Sequence, residues 1–140
     1  MKYENDNIRL HNRDCSDVIG NLIKTDVKVD LIITSPPYFN LEDYGNNECE
    51  KVDSLHGDYS DWLELYVKPL MINSSKYIKE NCSVLINVKD FNGLPLETDF
   101  IRYGESAGLK YKGFTTLKNI KRINDSGFVD NSEKVLIFTK

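Results

Sequence analysis

The sequence predicts an α/β fold: one sheet, largely parallel, with helices packed against it. Three observations carry this reading. The runs Val29-Asp30-Leu31-Ile32-Ile33 and Ser83-Val84-Leu85-Ile86-Asn87-Val88 have the length and β-branching of buried strands. Segments of helical period alternate with them. Asp14, the stretch Ser35 to Tyr38, and Asp90 all stand where predicted strands end, and sites in open α/β sheets form at strand ends.

Asn7 to Asn12 alternates apolar and polar residues, as a short strand does. Arg13-Asp14-Cys15-Ser16 ends it. Ser16 suits an N-cap, and Val18, Ile19, Leu22 and Ile23 form one apolar helical face. The strand at 29–33 then runs into Thr34-Ser35-Pro36-Pro37-Tyr38. Each proline lacks an N–H and has a fixed φ, and the residues before them, Ser35 and Pro36, are pushed toward extended geometry. The expectation is a stiff turn with outward carbonyls and an aromatic tip.

Residues 39–59 are polar and aperiodic, with Glu42, Asp43, Tyr44, Glu48, Glu50, Asp53 and His56 among them. A segment of this length reads as a cover over the proline turn. A helix is expected from Ser60 toward Glu80, burying Leu63, Val67, Leu70, Met71, Tyr77 and Ile78. Pro69 predicts a kink or a late start, and Asn81 an αL close. Lys89 to Gly93 is the outgoing loop of the second strand. Pro95 suits a first helical position; Leu96, Phe100, Ile101 and Ala107 follow at helical spacing, and Gly108 stops the helix. Lys110 to Leu117 and Glu133 to Thr139 read as strands, with turn chemistry at Asn124-Asp125-Ser126-Gly127. Trp62 and Phe114 read as core residues.

A chain of 140 residues suffices for a single domain, residues 1–140, with a real core. The 40% apolar and 29% charged shares fit a soluble globular protein. No apolar run reaches membrane-spanning length and no signal-peptide pattern is present, so a cytoplasmic location is expected. Cys15, Cys49 and Cys82 are widely spaced and fit inert reduced thiols, while His11 and His56 have no ligand cluster, so no metal is expected. The net charge of -4 argues against coating nucleic acid by charge alone. Lys110, Lys112, Lys118, Lys121 and Arg122 nevertheless form a basic stretch with no acid between them. It fits either a solvated face or phosphate contact.

The run Asp30-Leu31-Ile32-Ile33-Thr34-Ser35-Pro36-Pro37-Tyr38 resembles the catalytic motif of S-adenosylmethionine (SAM)-dependent DNA amino-methyltransferases. These act on N4 of cytosine or N6 of adenine. Leu10 to Val18 resembles the strand and turn before that motif, and Val84 to Asp90 and Glu133 to Lys140 resemble two later strands. The resemblance spans almost the whole chain, and the proline motif is its specific part. It implies a Rossmann-like methyltransferase sheet with helices on both faces. It implies catalytic roles for Ser35, Pro36, Pro37 and Tyr38. Asp14, with Cys15 beside it, and Asp90 would then lie at the SAM site. Lys118, Lys121 and Arg122 would contact DNA, and the usual setting is restriction–modification. Ser35 leans toward cytosine N4, because the adenine enzymes more often carry Asp at that position.

One departure is large. The family binds SAM with a Phe-x-Gly-x-Gly turn after another strand, and none of the eight glycines here forms G-x-G. The expectation is the catalytic half of such an enzyme. A dimer, or a complementing chain that supplies the cofactor-binding segment, would complete it.

An exocyclic base amine is a poor nucleophile because its lone pair is delocalised into the ring. Acceptors such as the Ser35 hydroxyl and the Pro36 carbonyl favour a pyramidal nitrogen and free that pair. Positioning then carries most of the catalysis. The base must leave the duplex, and Tyr38 would stack on it, worth roughly 1–3 kcal/mol. Other readings stay open at this point. Ser-Pro-Pro-Tyr also fits a plain proline turn or an SH3-type ligand, Asp14 a helix-start acid and Asp90 an ordinary loop acid. The chain could be an inactive relic that binds nucleic acid or a partner. Methyltransferases acting on RNA or protein amides usually carry Asn before Pro-Pro-Tyr, so Ser35 speaks against them.

Overall fold

A computed structural model describes residues 2–4, 9–11, 27–39, 57–118, 120–123, 127–130 and 132–140, with backbone alone at 2–4, 9–11, 120–123 and 127–130. The elements are β1 (Lys2–Glu4), β2 (Arg9–His11), β3 (Val29–Thr34), α1 (Tyr59–Trp62), a π-helical turn (Leu63–Val67), α2 (Lys68–Tyr77), β4 (Ile78–Val88), α3 (Leu96–Ser106), β5 (Lys110–Leu117), β6 (Ile120–Ile123), β7 (Gly127–Asp130) and β8 (Glu133–Thr139). The expected helix after Ser16, most of the polar segment 39–59, and residues 124–126 of the expected turn lie outside the described residues.

Four strands form the main sheet in the order β3-β4-β8-β5. β3 and β4 are parallel, and β8 runs antiparallel to both β4 and β5. Three strands therefore point the same way, yet only one of the three pairings is parallel, so the sheet is mixed rather than largely parallel. The cause is the route from β5 to β8. It passes through the antiparallel hairpin β6–β7 instead of a helical crossover, so β8 comes back beside the strand it left. The strand expected at 7–12 is realised as β2, which pairs with β1 in a separate two-stranded sheet.

The alternation of each strand sorts its side chains by face. Val84, Ile86, Val88, Leu136 and Phe138 are buried on one face, in a single cluster with Trp62, Met71 and Phe100 from the helices. Gly104 of α3 lets that helix approach closely: a Cβ there would stand 2.6 Å from the Phe138 ring and 2.9 Å from Met71 Cε. Leu31 and Ile33 point to the other face and are 52% and 69% exposed. Among the described residues the helices cover one face only, where helices on both had been expected.

The long helix contains Pro69 without ending there. A wide turn precedes it, in which the N–H of Lys68 donates to the carbonyl of Leu63. This shifts the helical register just ahead of the residue that has no N–H to give. Asp58 caps the start, accepting from the N–H of Asp61 at 3.0 Å. The helix stops at Tyr77, earlier than expected, and Ile78 to Val88 continue as one strand. Asn81 does take a positive φ of 61°. It uses it inside β4, where between the pairs Val29–Ile78 and Leu31–Ser83 four residues of that strand (79–82) stand against one of β3 (Asp30), not as a helix cap. No helix among the described residues is long and apolar enough to cross a membrane.

Candidate active site

The parallel register matches Thr34 with Ile86, so the chain leaves β3 beside the end of β4. The proline turn and Asp90 therefore share one end of the sheet, as the sequence order suggested. Asp14 and Cys15 lie outside the described residues.

Ser35 is exposed, Pro36 buried and Pro37 half-buried. Tyr38 is only 8% exposed and belongs to the core cluster. The aromatic tip expected of this turn is thus folded inward. Extended geometry explains it: residues two apart share a face, so Pro36 and Tyr38 go toward the core while Ser35 and Pro37 face away.

On the side of Ser35 stands a residue the sequence reading passed over. Asn87 Nδ2 donates to Glu133 Oε2 at 2.7 Å and reaches Ser35 Oγ at 3.5 Å. A carboxylate only accepts, so Glu133 fixes which way the amide points. Asn87 Oδ1 is buried and, among the described residues, has no hydrogen-bond partner. A signal existed in the sequence. Asn87 is the polar break in the run Val84-Leu85-Ile86-Asn87-Val88, and its parity puts it on the Leu85 side, away from the core. Glu133 lies 46 residues further on, and no local pattern links the two.

Asp90 Oδ1 accepts from the N–H of Glu97 at 2.8 Å. Pro95 occupies the N-cap position of α3 and provides no side-chain bond, so Asp90 satisfies the first turn from across the loop. Asn92 and Gly93, at φ 49° and 77°, close that loop in the tight form that Asn-Gly favours. Lys134 Nζ lies 2.5 Å from Glu97 Oε2 and 4.8 Å above the Phe114 ring. The hydrogen bond to Glu97 holds the Lys134 ammonium above its usual pKa. Phe114 itself is exposed rather than a core residue.

Lys118 is exposed just after β5, at this same end of the sheet. Lys121 and Arg122 lie in β6, where the backbone alone is described. Lys110 is matched with Thr139 at the far end of β5, about 26 Å from Lys118 along an extended strand. Lys110 and Lys118 therefore stand at opposite ends of β5, not in one patch. Among the described residues no group of three potential metal ligands occurs. Among the described residues this end of the sheet brings the Ser35 hydroxyl and the carboxylates of Asp90 and Glu133 together with the cations Lys118 and Lys134.

No family model and no curated protein matches the sequence. Solved structures do match its fold. M1.HpyAVI in complex with SAM superposes with a TM-score of 0.57 at 15% identity, over 89% of this chain and 50% of that one. TTHA0409 of Thermus thermophilus, a candidate DNA modification methylase, gives 0.60 at 17% identity over 91% of this chain and 52% of its own. Its complex with SAM gives 0.61 at 17% identity, over 91% and 51%. At such identities the likeness is one of fold. The chain spans about half the length of the structures it matches.

Proposed function

We propose that this chain is the catalytic part of a SAM-dependent DNA methyltransferase. It acts on the exocyclic amine of a base drawn out of the duplex, with cytosine N4 favoured over adenine N6. One observation carries the reading: Ser35-Pro36-Pro37-Tyr38 stands directly at the C-terminal end of β3. The fold around it is one whose solved counterparts include proteins crystallised with SAM.

Ser35 is exposed and would offer an acceptor to the amine, and the Pro36 carbonyl is the proposed second. The two prolines keep that pair of acceptors rigid. The amine nitrogen would take the methyl group as its bond to the sulfonium sulfur breaks, leaving a neutral thioether, and would then lose a proton to water, so no strong base is required of the turn. Tyr38 stacking has a cost, since the ring is buried before any base arrives. Uncovering a large apolar side chain costs about 1.5–3 kcal/mol. Stacking returns about 1–3 kcal/mol. The two offset one another, and Tyr38 contributes geometry more than affinity.

SAM, when bound, supplies an electrophilic methyl group on a sulfonium. The residues here fit it in part. Asp90 keeps one carboxylate oxygen beyond the bond to Glu97 and can accept from a cofactor hydroxyl or amine. Asp14 and Cys15 are further candidates. No G-x-G turn is present to let backbone approach the cofactor closely. The open face bearing Leu31 and Ile33 is where a second copy, or a complementing chain with the cofactor-binding segment, would dock. Lys118, Lys121 and Arg122 are the proposed phosphate contacts.

The test is methyl transfer from labelled SAM to duplex DNA, by the chain alone and with the product of any adjacent reading frame that encodes a strand followed by Phe-x-Gly-x-Gly. Label is expected in N4-methyldeoxycytidine after digestion. Tyr38→Phe should keep most activity and Tyr38→Leu lose it, while Ser35→Ala loses it partly because one of two acceptors remains. Label on a ring carbon, or equal rates in Tyr38→Leu and the parent, would rule the mechanism out.

A further inference from the structure

We propose that Asn87 and Glu133 act as a positioning pair for Ser35. The inference rests on the methyltransferase reading above and adds two residues to its site. Ser35 follows β3, Asn87 lies near the end of β4 and Glu133 opens β8, so three strands that adjoin in the sheet each bring one member to the same face. The contacts run in one direction. Glu133 Oε2 takes one Nδ2 proton of Asn87 at 2.7 Å, and the other reaches toward Ser35 Oγ at 3.5 Å.

A serine hydroxyl rotates freely unless something holds it. Asn87 occupies one lone pair of Ser35 Oγ from the sheet side. The other lone pair and the O–H are thereby turned outward, where a base would approach. The distance of 3.5 Å is long for such a bond. Hydrogen bonds in ligand-free sites are often long and shorten once substrate is in place. Glu133 supplies the reason Asn87 does not swing away. With one N–H committed to the Glu133 carboxylate, which would repel Oδ1 in a flipped amide, the amide has one sensible orientation. The effect on the base passes through Ser35, and neither Asn87 nor Glu133 touches the reacting atoms.

The test uses the isotope-labelled full chain, with deoxycytidine monophosphate as the probe. Ser35→Ala and Glu133→Ala should each shift the side-chain amide signals of Asn87. Glu133→Gln, which still accepts through its carbonyl, should bring them back close to the parent. The probe should move the Asn87 signals in the parent and leave them still in Ser35→Ala. In whichever assembly transfers methyl groups, Asn87→Ala should lower the single-turnover rate about three- to tenfold, the size of one hydrogen bond, with KM for DNA unchanged. A parent-like thermal melt separates that loss from misfolding. Asn87 signals indifferent to Ser35→Ala, or a parent rate in Asn87→Ala, overturn the positioning role. Intact coupling between Ser35 and Asn87 with no response to the probe overturns the methyltransferase reading instead.

Discussion

Ile33→Glu tests whether the open face of the sheet is a docking surface. Ile33 is 69% exposed in the chain by itself, so it gives little to the fold. Surface substitutions of this kind usually change stability by about 0.5 kcal/mol, and the strand preference of isoleucine adds at most about 1 kcal/mol. Covering the face is different. Full burial of an isoleucine side chain is worth about 1.5–3 kcal/mol, and the share still open here corresponds to roughly 1–2 kcal/mol. Losing it weakens association about 5- to 30-fold, before the cost of desolvating the new carboxylate is added. Sedimentation velocity across a concentration series, for the chain with itself and with a complementing chain, reads this directly. Leu65→Glu is the control, because Leu65 is 59% exposed on the helical side of the molecule. It should leave association unchanged. Equal association in Ile33→Glu and the parent would refute the reasoning. So would a fall in folding stability large enough to show that Ile33 belongs to the core.

Two further outcomes concern the half of the molecule that holds the site in place. Gly104→Ala gains about 0.8–1.0 kcal/mol of helix propensity. It also forces a Cβ to 2.6 Å from the fully buried Phe138 ring, and overpacking of that kind costs about 1–3 kcal/mol. Met71 can move, but the ring is held by the sheet, so the clash wins and the thermal midpoint should fall; a midpoint at or above the parent refutes this. Tyr59 donates to Asp99 Oδ2 at 2.7 Å, and burial, then that bond, raises its pKa above the ordinary value of 10.0. A raised folded pKa means the unfolded chain loses the proton first, so stability is retained below pH 10 and declines above it. Tyr59→Phe should cost about 1 kcal/mol at neutral pH and soften the alkaline decline, measured as urea midpoints from about pH 7 to 11; an unchanged alkaline slope refutes the assignment.

The strands flanking the site were legible because Leu31-Ile32-Ile33 and Val84-Leu85-Ile86 are aliphatic runs bounded by polar residues. The proline turn was legible because two prolines leave the chain little choice. The boundary at Tyr77 and Ile78 was not. Ile78 continues the apolar spacing of the helix, and nothing local marks the chain as turning extended there. Asn81 carries a true αL signal, but the sequence cannot say whether a bulge or a cap will use it. The inward turn of Tyr38 follows from the alternation imposed by the prolines. The Asn87–Glu133 bond joins strands that only the tertiary fold places side by side.

The placement of these groups bears on how an assembled site would work. The acceptors near Ser35 are held by contacts internal to this chain: Asn87 to Glu133, and Asp90 to the start of α3. The cluster of Trp62, Phe100, Met71 and Phe138 supports the sheet from the helical side. The half that would accept the amine is therefore organised before anything docks on Leu31 and Ile33. A glycine turn for the cofactor has no counterpart in the sequence. On the proposed division a partner would bring the cofactor to a base site already shaped, and little ordering entropy would oppose methyl transfer on this side of the interface, the condition under which positioning contributes most to rate.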